Sequence, residues 1–329
     1  MYKMDKKDQK ILHELDVNAR QTNADIGKKV GLSREVVKYR IDRMVKEGII
    51  LRFSTIINFF KLGYQKYRLY LRLRNATKEK MEEICEYFTD NKKTEWVVMG
   101  SGAWDIIATF IVKNINEFDD EVQIVLNKYA DFIQEKAELT TLYISHAPRG
   151  YLSEREFDYK KDIIFYRSVD KQEKIDNIDE EIIKILVNNA RILITEIALK
   201  LNTTARIVQY KIKELEKKQI ILSYKVTLDP NKMGNTFYKA IFYLGNTTKK
   251  RLDEFMNFCY TIKEGIWPQR LIGSWDAELD MEVSGYERFN EVVMDLRQKF
   301  SDILKKIDFF IVSKEYKLDF YPGCYKKFD

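Results

Sequence analysis

Apolar residues in the first fifty positions recur at the three-to-four-residue spacing of helices. Ile11, Leu12 and Leu15 predict a first helix, and a second helix ends at Gly31. Ser33 is suited to cap a third helix. The apolar stripe of this third helix consists of Val37, Ile41 and Met44. The tight turn before the third helix and the apolar strand at 49–53 after it predict a winged helix-turn-helix.

Further along, polar and apolar residues alternate as in half-buried strands, between stretches of helical period. The pattern predicts strands over 67–73, 96–98, 105–112 and 137–144, and helices over 78–88 and 115–129. Their order along the chain is β-α-β-β-α-β. This order predicts a ferredoxin-like domain.

The whole pattern occurs twice. When the sequence is shifted by 171 positions, 18 of the 59 residues in 5–63 match residues in 176–234 without a gap. The same offset aligns Trp96 with Trp267, Gly102 with Gly273, Trp104 with Trp275 and Asp105 with Asp276. One offset that holds over more than a hundred residues indicates a tandem duplication.

The predicted fold class is therefore α+β, with two repeats that each join a winged helix-turn-helix to a ferredoxin-like βαββαβ domain. We expect the segments to follow one another along the chain. They are a first winged helix-turn-helix (1–57), a first ferredoxin-like domain (64–146), a linker in which 163–166 indicates an extra strand (147–175), a second winged helix-turn-helix (176–228), a second ferredoxin-like domain (235–316) and a C-terminal tail (317–329).

Composition narrows the class of protein. Hydrophobic residues make up 45% and charged residues 33%, which fits a folded chain and not a disordered one. The cysteines Cys85, Cys259 and Cys324 lack metal-ligand spacing, and two histidines leave little material for metal or catalytic chemistry. We expect no metal, no cofactor and no catalytic residues. The polar N-terminus and the lack of a long apolar run indicate a cytoplasmic protein, without a membrane partner.

The exposed face of the third helix carries groups that bind bases or phosphates. With the N-caps and the following strand, the DNA-binding candidates of the first repeat are Thr22, Ser33, Arg34, Glu35, Lys38, Tyr39, Arg43 and Arg52. Those of the second repeat are Thr204, Arg206, Gln209, Tyr210 and Lys213. A basic helix face can be merely solvated, but its place between a tight turn and a wing strand favours double-stranded DNA as the partner.

Charge separates the two repeats. Residues 1–52 contain 13 Lys and Arg against 8 Asp and Glu, whereas residues 172–223 contain 9 against 8. Because phosphate contacts dominate affinity, we expect the first repeat to bind DNA more tightly. Gln219 also replaces the glycine that follows the third helix in the first repeat, Gly48. Loss of DNA binding by the second repeat is therefore an alternative.

A glycine-rich turn joins the middle strands of each ferredoxin-like domain. It runs from Gly100 to Asp105 in the first repeat and from Ile272 to Asp276 in the second. Exposed backbone amides can hold a carboxylate and the aspartate can balance an ammonium group, which would suit a free amino acid. The alternative is a hairpin turn with a solvated aspartate and a core tryptophan.

The residues quoted so far carry a resemblance to the Lrp/AsnC family. It rests on Asp5-x-x-Asp8-x-x-Ile11-Leu12-x-x-Leu15-x-x-x-Ala19-Arg20, on Ile26-x-x-x-Val30-Gly31-Leu32-Ser33, on Val37-x-x-Arg40-Ile41-x-x-Met44-x-x-x-Gly48-x-Ile50 and on Gly102-x-x-Asp105. The resemblance implies a DNA-binding transcription regulator whose ferredoxin-like domains pair and sense a small effector, such as an amino acid. It places the effector-binding residues at Gly100, Ser101, Gly102, Asp105, Thr140, Gly273, Ser274 and Asp276.

The chain departs from this family in two ways. Family members normally hold one repeat, and the residues that correspond to Thr140 and Thr141 in the second repeat are Ile311 and Val312, which puts a second effector pocket in doubt. We expect the two ferredoxin-like domains to pair within one chain, with further homo-oligomers left open. Such a pair would present two unlike recognition helices and would prefer an asymmetric DNA site.

Two other functions compete with the regulator. Siroheme decarboxylases also resemble paired Lrp-like repeats, but they need histidine, arginine and tyrosine groups around a tetrapyrrole, and His146 is the one histidine outside the helix-turn-helix regions. A stand-alone amino-acid sensor that acts through proteins is the other alternative. The excess positive charge of residues 1–52 argues against the sensor.

Overall fold

The computed structural model describes residues 4–153, 162–245 and 247–325. The first repeat begins with α1 (Lys6–Val17), α2 (Asn23–Val30), α3 (Arg34–Lys46) and the strand β1 (Ile50–Ile57). Side-chain oxygens of Asp5, Thr22 and Ser33 accept backbone N–H groups at the three helix N-termini. Gly31 ends α2 in the left-handed conformation, with φ +70°. The apolar stripe of α3 is buried, as its spacing predicts.

A βαββαβ unit follows in the first repeat. It consists of β2 (Gln65–Leu73), α4 (Lys78–Asp90), β3 (Thr94–Gly102), β4 (Ile106–Val112), α5 (Ile115–Tyr129) and β5 (Ile133–His146). The segment for which the sequence indicated an extra strand forms β6 (Ile164–Arg167), which pairs antiparallel with the end of β5. Residues 154–161 of the predicted linker lie outside the described residues.

The second repeat has the same order of elements. It consists of α6 (Asn177–Asn188), α7 (Ile194–Lys200), α8 (Ala205–Lys217), β7 (Ile221–Leu228), β8 (Thr236–Leu244), α9 (Lys249–Thr261), β9 (Gly265–Ile272), β10 (Ala277–Val283), α10 (Tyr286–Lys299) and β11 (Leu304–Leu318). The predicted C-terminal tail begins inside β11. Phe320, Tyr321 and Cys324 beyond it are buried, because these apolar side chains pack on the core.

The two βαββαβ units close into one barrel-like sheet. The strand order is β5-β2-β4-β3 in the first repeat and β11-β8-β10-β9 in the second, which is the ferredoxin-like order. β3 pairs with β11 and β9 pairs with β5, so that each unit completes the edge of the other. The helices cover the outside of each unit, over two separate apolar cores. The inner faces of both units meet inside the sheet.

The strands after the recognition helices connect the two repeats. β1 does not form a hairpin with a neighbour from its own repeat; it pairs antiparallel with β7 of the second repeat. Ala19 and Ala190 extend this exchange, because their N–H groups donate to the carbonyls of Tyr224 and Phe53, at 2.8 Å in both cases. The pairing of β1 with β7 therefore fixes the two helix-turn-helix units relative to each other.

Candidate functional site

The recognition helix of the first repeat presents most of its predicted DNA-binding side chains to solvent. Arg34, Glu35, Lys38 and Arg43 are exposed, and Tyr39 keeps 65% of its surface accessible. Thr22 and Ser33 are also exposed while they cap α2 and α3. Lys38 forms an ion pair with Asp42 that lies wholly on the surface. This face can approach the edges and phosphates of a duplex without rearrangement.

The helix α3 is fixed in place from its other side. Arg40 forms ion pairs with Asp5 at 2.8 Å and with Asp8 at 2.7 Å, across the start of α1. These contacts raise the pKa of Arg40, chiefly through its hydrogen bonds to the two carboxylates. The second repeat reproduces the arrangement with Lys211, whose ammonium group lies 3.2 Å from Asp179 and also contacts Asp176. Both recognition helices are thus held rigidly against their first helix.

The recognition helix of the second repeat exposes a different set of groups. Arg206, Gln209 and Lys213 are exposed, Tyr210 keeps 62% of its surface accessible, and Thr204 caps the helix. Three positions have lost polar or basic groups relative to the first repeat: Leu193 stands for Thr22, Ala205 for Arg34 and Glu214 for Arg43. The two faces therefore differ in the contacts that they offer.

Arg52 does not lie on the predicted DNA-binding face. Its side chain is buried, it donates to the carbonyl of Leu318, and its guanidinium lies 5.6 Å from the centre of the Phe320 ring. Burial lowers the pKa of Arg52. The prediction for Arg52 was wrong because β1 pairs with β7 under the C-terminal segment and does not project as a free wing.

The aspartates of the two glycine-rich turns have the same structural role. The N–H of Leu73 donates to Oδ2 of Asp105, and the N–H of Leu244 donates to Oδ2 of Asp276, at 2.7 Å in both cases. Arg270 adds a contact to Asp276, with Nη1 3.5 Å from Oδ1. Each aspartate therefore ties the turn to the end of the first strand of its unit. One oxygen of each carboxylate is engaged before any ligand arrives.

The glycines of the first turn permit close contact between the repeats. A Cβ on Gly100 would lie 2.0 Å from the carbonyl oxygen of Ile311, and one on Gly102 would lie 2.3 Å from that of Phe309. Gly102 also has φ +126°, a conformation that other residues rarely adopt. The glycines therefore let β3 pair with β11. Ser101, between them, is exposed.

Each glycine-rich turn lies beside the last strand of the other repeat, not beside that of its own repeat. Thr140 pairs with Ile272, beside Gly273 in the turn of the second repeat, whereas Ile311 and its neighbour Val312 pair with Ser101 and Gly100 in the first turn. The set that was predicted around Gly100 is not assembled as one group. Thr140 lies instead opposite Ile272, the residue before Gly273 in the turn of the second repeat.

Trp104 and Trp275 pack between the repeats. Both are almost fully buried, and their ring centres are 5.9 Å apart. Tyr70 contacts each of them edge-on, at 5.8 Å and 4.7 Å. The indole N–H of Trp275 donates to Glu278 at 2.8 Å. The tryptophans beside the turns therefore belong to the contact between the two units.

Charged side chains that the sequence analysis did not single out fill the inside of the sheet. Arg68 and Lys239 both contact Glu278, and Lys239 lies 2.5 Å from Asp280. All four side chains are almost completely buried. Burial alone raises the pKa of Glu278, but the charges of Arg68 and Lys239 lower it to about 2. A second buried pair joins Lys66 to Glu95.

Two small cavities flank His146. Both are lined by His146, Trp267 and Phe320, and their volumes are about 20 and 30 Å³. The indole N–H of Trp267 donates to Nδ1 of His146 at 2.8 Å, and Tyr166 lies 3.2 Å from Nε2. Burial holds the pKa of His146 well below its ordinary value, and Lys225 adds to this effect. His146 is therefore neutral and serves as an acceptor.

Arg149 connects the first helix-turn-helix to the second βαββαβ unit. It donates to Asp16 on α1 at 2.7 Å and to both oxygens of Glu282 on β10, at 2.8 and 3.0 Å. All three side chains are buried. Such a charge-assisted junction fixes the orientation of one unit against the other.

Other kinds of site find little support in the described residues. No group of three His, Cys, Asp or Glu side chains there could hold a metal ion, and Cys85, Cys259 and Cys324 are buried thiols. No helix among these residues has the length and apolarity to cross a bilayer.

Comparison with known sequences identifies both helix-turn-helix units. The family described as AsnC-type helix-turn-helix domain matches residues 4–45, and the family described as winged helix-turn-helix DNA-binding matches residues 175–221. The HTH-type transcriptional regulator LrpB of Bacillus subtilis is 32% identical over 123 residues, which cover 37% of this chain and 81% of LrpB. An uncharacterized HTH-type transcriptional regulator of Pyrococcus abyssi is 33% identical over 115 residues, 35% of this chain and 77% of that relative.

A solved structure resembles the chain over both repeats. The siroheme decarboxylase NirDL superposes with a TM-score of 0.63 at 13% sequence identity, over 96% of this chain and 93% of NirDL. Identity at this level shows a shared fold only.

Proposed function

Because this chain belongs to the Lrp/AsnC family of helix-turn-helix regulators, we propose that it is a transcription regulator that binds double-stranded DNA with two unlike heads, each head being one helix-turn-helix unit. The observation that carries the proposal is the exposed face of α3, held by Arg40 against α1 and by β1 against the second repeat. A rigid, exposed recognition helix can enter a major groove without ordering cost.

The first head is the stronger DNA reader in this proposal. Its recognition face retains Arg34 and Lys38, whereas the second head has Ala205 and Gln209 at the same positions. Arg206 and Lys213 give the second head a smaller basic face of its own. The two heads would therefore read different half-sites with different strengths.

Replacement of Arg34 and Lys38 by alanine tests the proposal. We expect the double variant to retain fragmented genomic DNA less well than the unmodified protein. The magnitude of the slope of log affinity against log salt concentration should decrease by about two, one for each lost phosphate contact. Arg206→Ala with Lys213→Ala should have a smaller effect of the same kind.

A matched control removes the same charge elsewhere. Lys249 and Lys250 are exposed on α9, away from both heads, and their replacement by alanine should change neither affinity nor salt slope. If the Lys249/Lys250 variant lost as much DNA affinity as the Arg34/Lys38 variant, the binding would be explained by non-specific charge alone. Failure of the unmodified protein to retain DNA at low salt would overturn the proposal.

The effector site of this regulator would lie at the turn of the second repeat. In support of this, the backbone register sets Thr140 opposite Ile272, next to Gly273, and Asp276 and Arg270 of the same turn supply one charge of each sign. Paired charges of this kind suit the carboxylate and ammonium groups of a free amino acid. The first turn meets Ile311 and Val312 and offers fewer polar groups.

Tetrapyrrole chemistry is the second candidate, because the fold of NirDL covers both repeats. Pockets that bind small-molecule ligands have volumes of about 300–1,000 Å³. The cavities beside His146 measure about 20 and 30 Å³, and Arg68, Lys239 and Asp280 in the wall of the smaller cavity are already ion-paired. An absorption spectrum of the purified protein separates the candidates, since a bound tetrapyrrole would give visible bands.

A further inference from the structure

A cleft between the two heads has no assigned role. It has a volume of about 680 Å³, and its polar lining includes Arg20, Thr22, Asn23, Arg34, Arg191 and Thr195. We call it the interhead cleft. Three of these six residues are arginines, one of them from the second repeat. None of the side chains that line it is a carboxylate.

Two of the arginines are related by the internal repeat and bind each other's repeat. Nη1 of Arg20 donates to the carbonyl of Ala190 at 2.7 Å, and Nη1 of Arg191 donates to the carbonyl of Ala19 at 2.6 Å. Arg20 also lies over the ring of Tyr224 and Arg191 over that of Phe53, at 5.4 and 5.3 Å. The exchange places both guanidinium groups at the junction of the heads.

The positive charge in the interhead cleft is only partly balanced by the protein, because the carboxylate of Asp42 is near Arg191 and favours its charged form. Across the described ranges, none of Arg20, Arg34 and Arg191 takes part in an ion pair with a carboxylate. Burial lowers the pKa of Arg191, and the nearby charge of Arg20 lowers it further. Carbonyl oxygens and aromatic rings stabilise the guanidinium groups, but the net charge of the cleft remains positive. An anion placed between them would be bound favourably.

The position of the cleft identifies the anion. Arg34 is the first residue of α3, and the N-terminal part of a recognition helix is the part that meets base edges. Arg34 lies on the wall of the cleft, so the cleft opens on the side of the heads that faces DNA. When two such helices enter two major grooves, the intervening sugar-phosphate backbone runs between the heads.

We propose that the interhead cleft binds phosphates of the duplex segment that lies between the two half-sites, with Arg20, Arg34 and Arg191 as the donors. This inference rests on the proposed DNA-binding function. An arginine has five N–H donors. Arg20 uses Nη1 on the carbonyls of Ala190 and Ile192, and Arg191 uses Nη1 on those of Ala19 and Gln21 and Nη2 on Oδ1 of Asn23, so both retain donors for a phosphate. Phosphate contacts position a protein and carry no base preference, and the cleft therefore sets the spacing of the half-sites.

Phosphate ethylation interference on a duplex selected from random sequence by the unmodified full chain tests this proposal. We expect interfering phosphates in three groups, one under each recognition helix and one between them. Arg191→Gln should weaken the central group alone, because glutamine keeps a donor for the carbonyl of Ala19 but carries no charge, while Arg20 and Arg34 remain. The salt slope of this variant should fall by about one. Arg167→Gln, an exposed arginine on β6, is the matched control and should change nothing.

The outcomes separate this proposal from the function on which it rests. Flanking interference without a central group in the unmodified protein would overturn the cleft proposal and leave DNA binding intact. This comparison does not depend on whether Arg191→Gln folds. No interference at any phosphate and no retention of DNA would overturn the proposed function itself. Thermal stabilisation by inorganic triphosphate, together with an absent central group, would assign the cleft to a small polyanion and also overturn the proposal.

Discussion

Arg68 of the first repeat and Glu278 of the second form an ion pair that is almost wholly excluded from solvent, where the inner faces of the two βαββαβ units meet. The first repeat has Ile107 and Thr109 where the second has Glu278 and Asp280, and the second has Lys239 where the first has Arg68. Two first repeats placed face to face would bury Arg68 twice without the carboxylates of Glu278 and Asp280, and Glu95 of the first repeat already pairs with Lys66. The charges therefore favour pairing of unlike repeats within one chain.

Loss of the carboxylate charge at Glu278 should destabilise the protein strongly. Glu278→Gln leaves Arg68 and Lys239 buried with one acidic group, Asp280, between them. Breaking a buried pair in this way costs about 3–5 kcal/mol. Urea denaturation at constant pH measures the change. Asp42→Asn breaks an exposed ion pair with Lys38 and should cost less than about 1 kcal/mol, so similar losses in both variants would show that Glu278 is not a buried charge centre.

The pairing within one chain predicts an asymmetric DNA site. Since α3 and α8 expose different side chains, selection from random-sequence DNA should yield two unlike half-sites at a fixed spacing. The half-site read by α3 should show the stronger base preference. A perfectly palindromic consensus would instead mean that the first repeats of two chains act together.

The helices and strands could be predicted because each buries one face. Val37, Ile41 and Met44, for example, recur at helical spacing and all three are buried in α3. Local patterns do not say which distant segment covers a face. Thr140 was therefore grouped with the turn of its own repeat, although β5 continues past its own sheet to pair with β9.

Arg52 and the interior charges show a second limit of the sequence. A basic residue in an apolar strand normally indicates solvent exposure, but the carbonyl of Leu318, far away in sequence, provides its buried acceptor. A signal for the interior was present, because Lys66 and Arg68, like Glu278 and Asp280, are two residues apart and alternate with apolar residues along their strands. Such spacing places the charges on one face, and only the pairing of the repeats shows that this face is buried.

The left-handed residue after the second recognition helix should limit the stability of that head. Gln219 has φ +55°, where the first repeat has Gly48 with φ +72°. A side chain in this conformation costs about 1 kcal/mol, so Gln219→Gly should stabilise the protein by up to that amount. Gly48→Gln should destabilise it similarly, because no atom lies within 4 Å of a Cβ there and the backbone term stands alone. Thermal denaturation measures the stability of both variants. Stability changes of the same sign would show that the left-handed backbone conformation is not their cause.

Asp319 should make stability depend on pH in mild acid. Its carboxylate accepts N–H groups from Tyr321 and Cys324, yet burial raises its pKa to about 6. The folded protein then binds more protons than the unfolded chain between about pH 4 and 6, so stability falls as the pH rises through this window and levels off above it. Asp319→Asn should flatten the dependence between pH 4 and 6. Asp42→Asn, at an exposed carboxyl, serves as the control and should leave the slope as it is.

The hydroxyl of Thr140 should control the response to the effector. The β5–β9 pairing sets Thr140 opposite Ile272, the residue before Gly273, and the proposed effector site requires its hydroxyl to bond the ligand held by the turn. Thr140→Val keeps the shape and removes that bond, which is worth about 1–3 kcal/mol when its partner is left unpaired. The amino-acid concentration that shifts DNA binding should therefore rise about fivefold or more, as measured by titration of an amino-acid mixture into the DNA complex. For each variant, the shift is measured relative to its DNA affinity in the absence of the amino-acid mixture. Ser101→Ala, at the exposed first turn, should not change the response, and the opposite ranking of the two variants would move the effector site to the turn around Gly102.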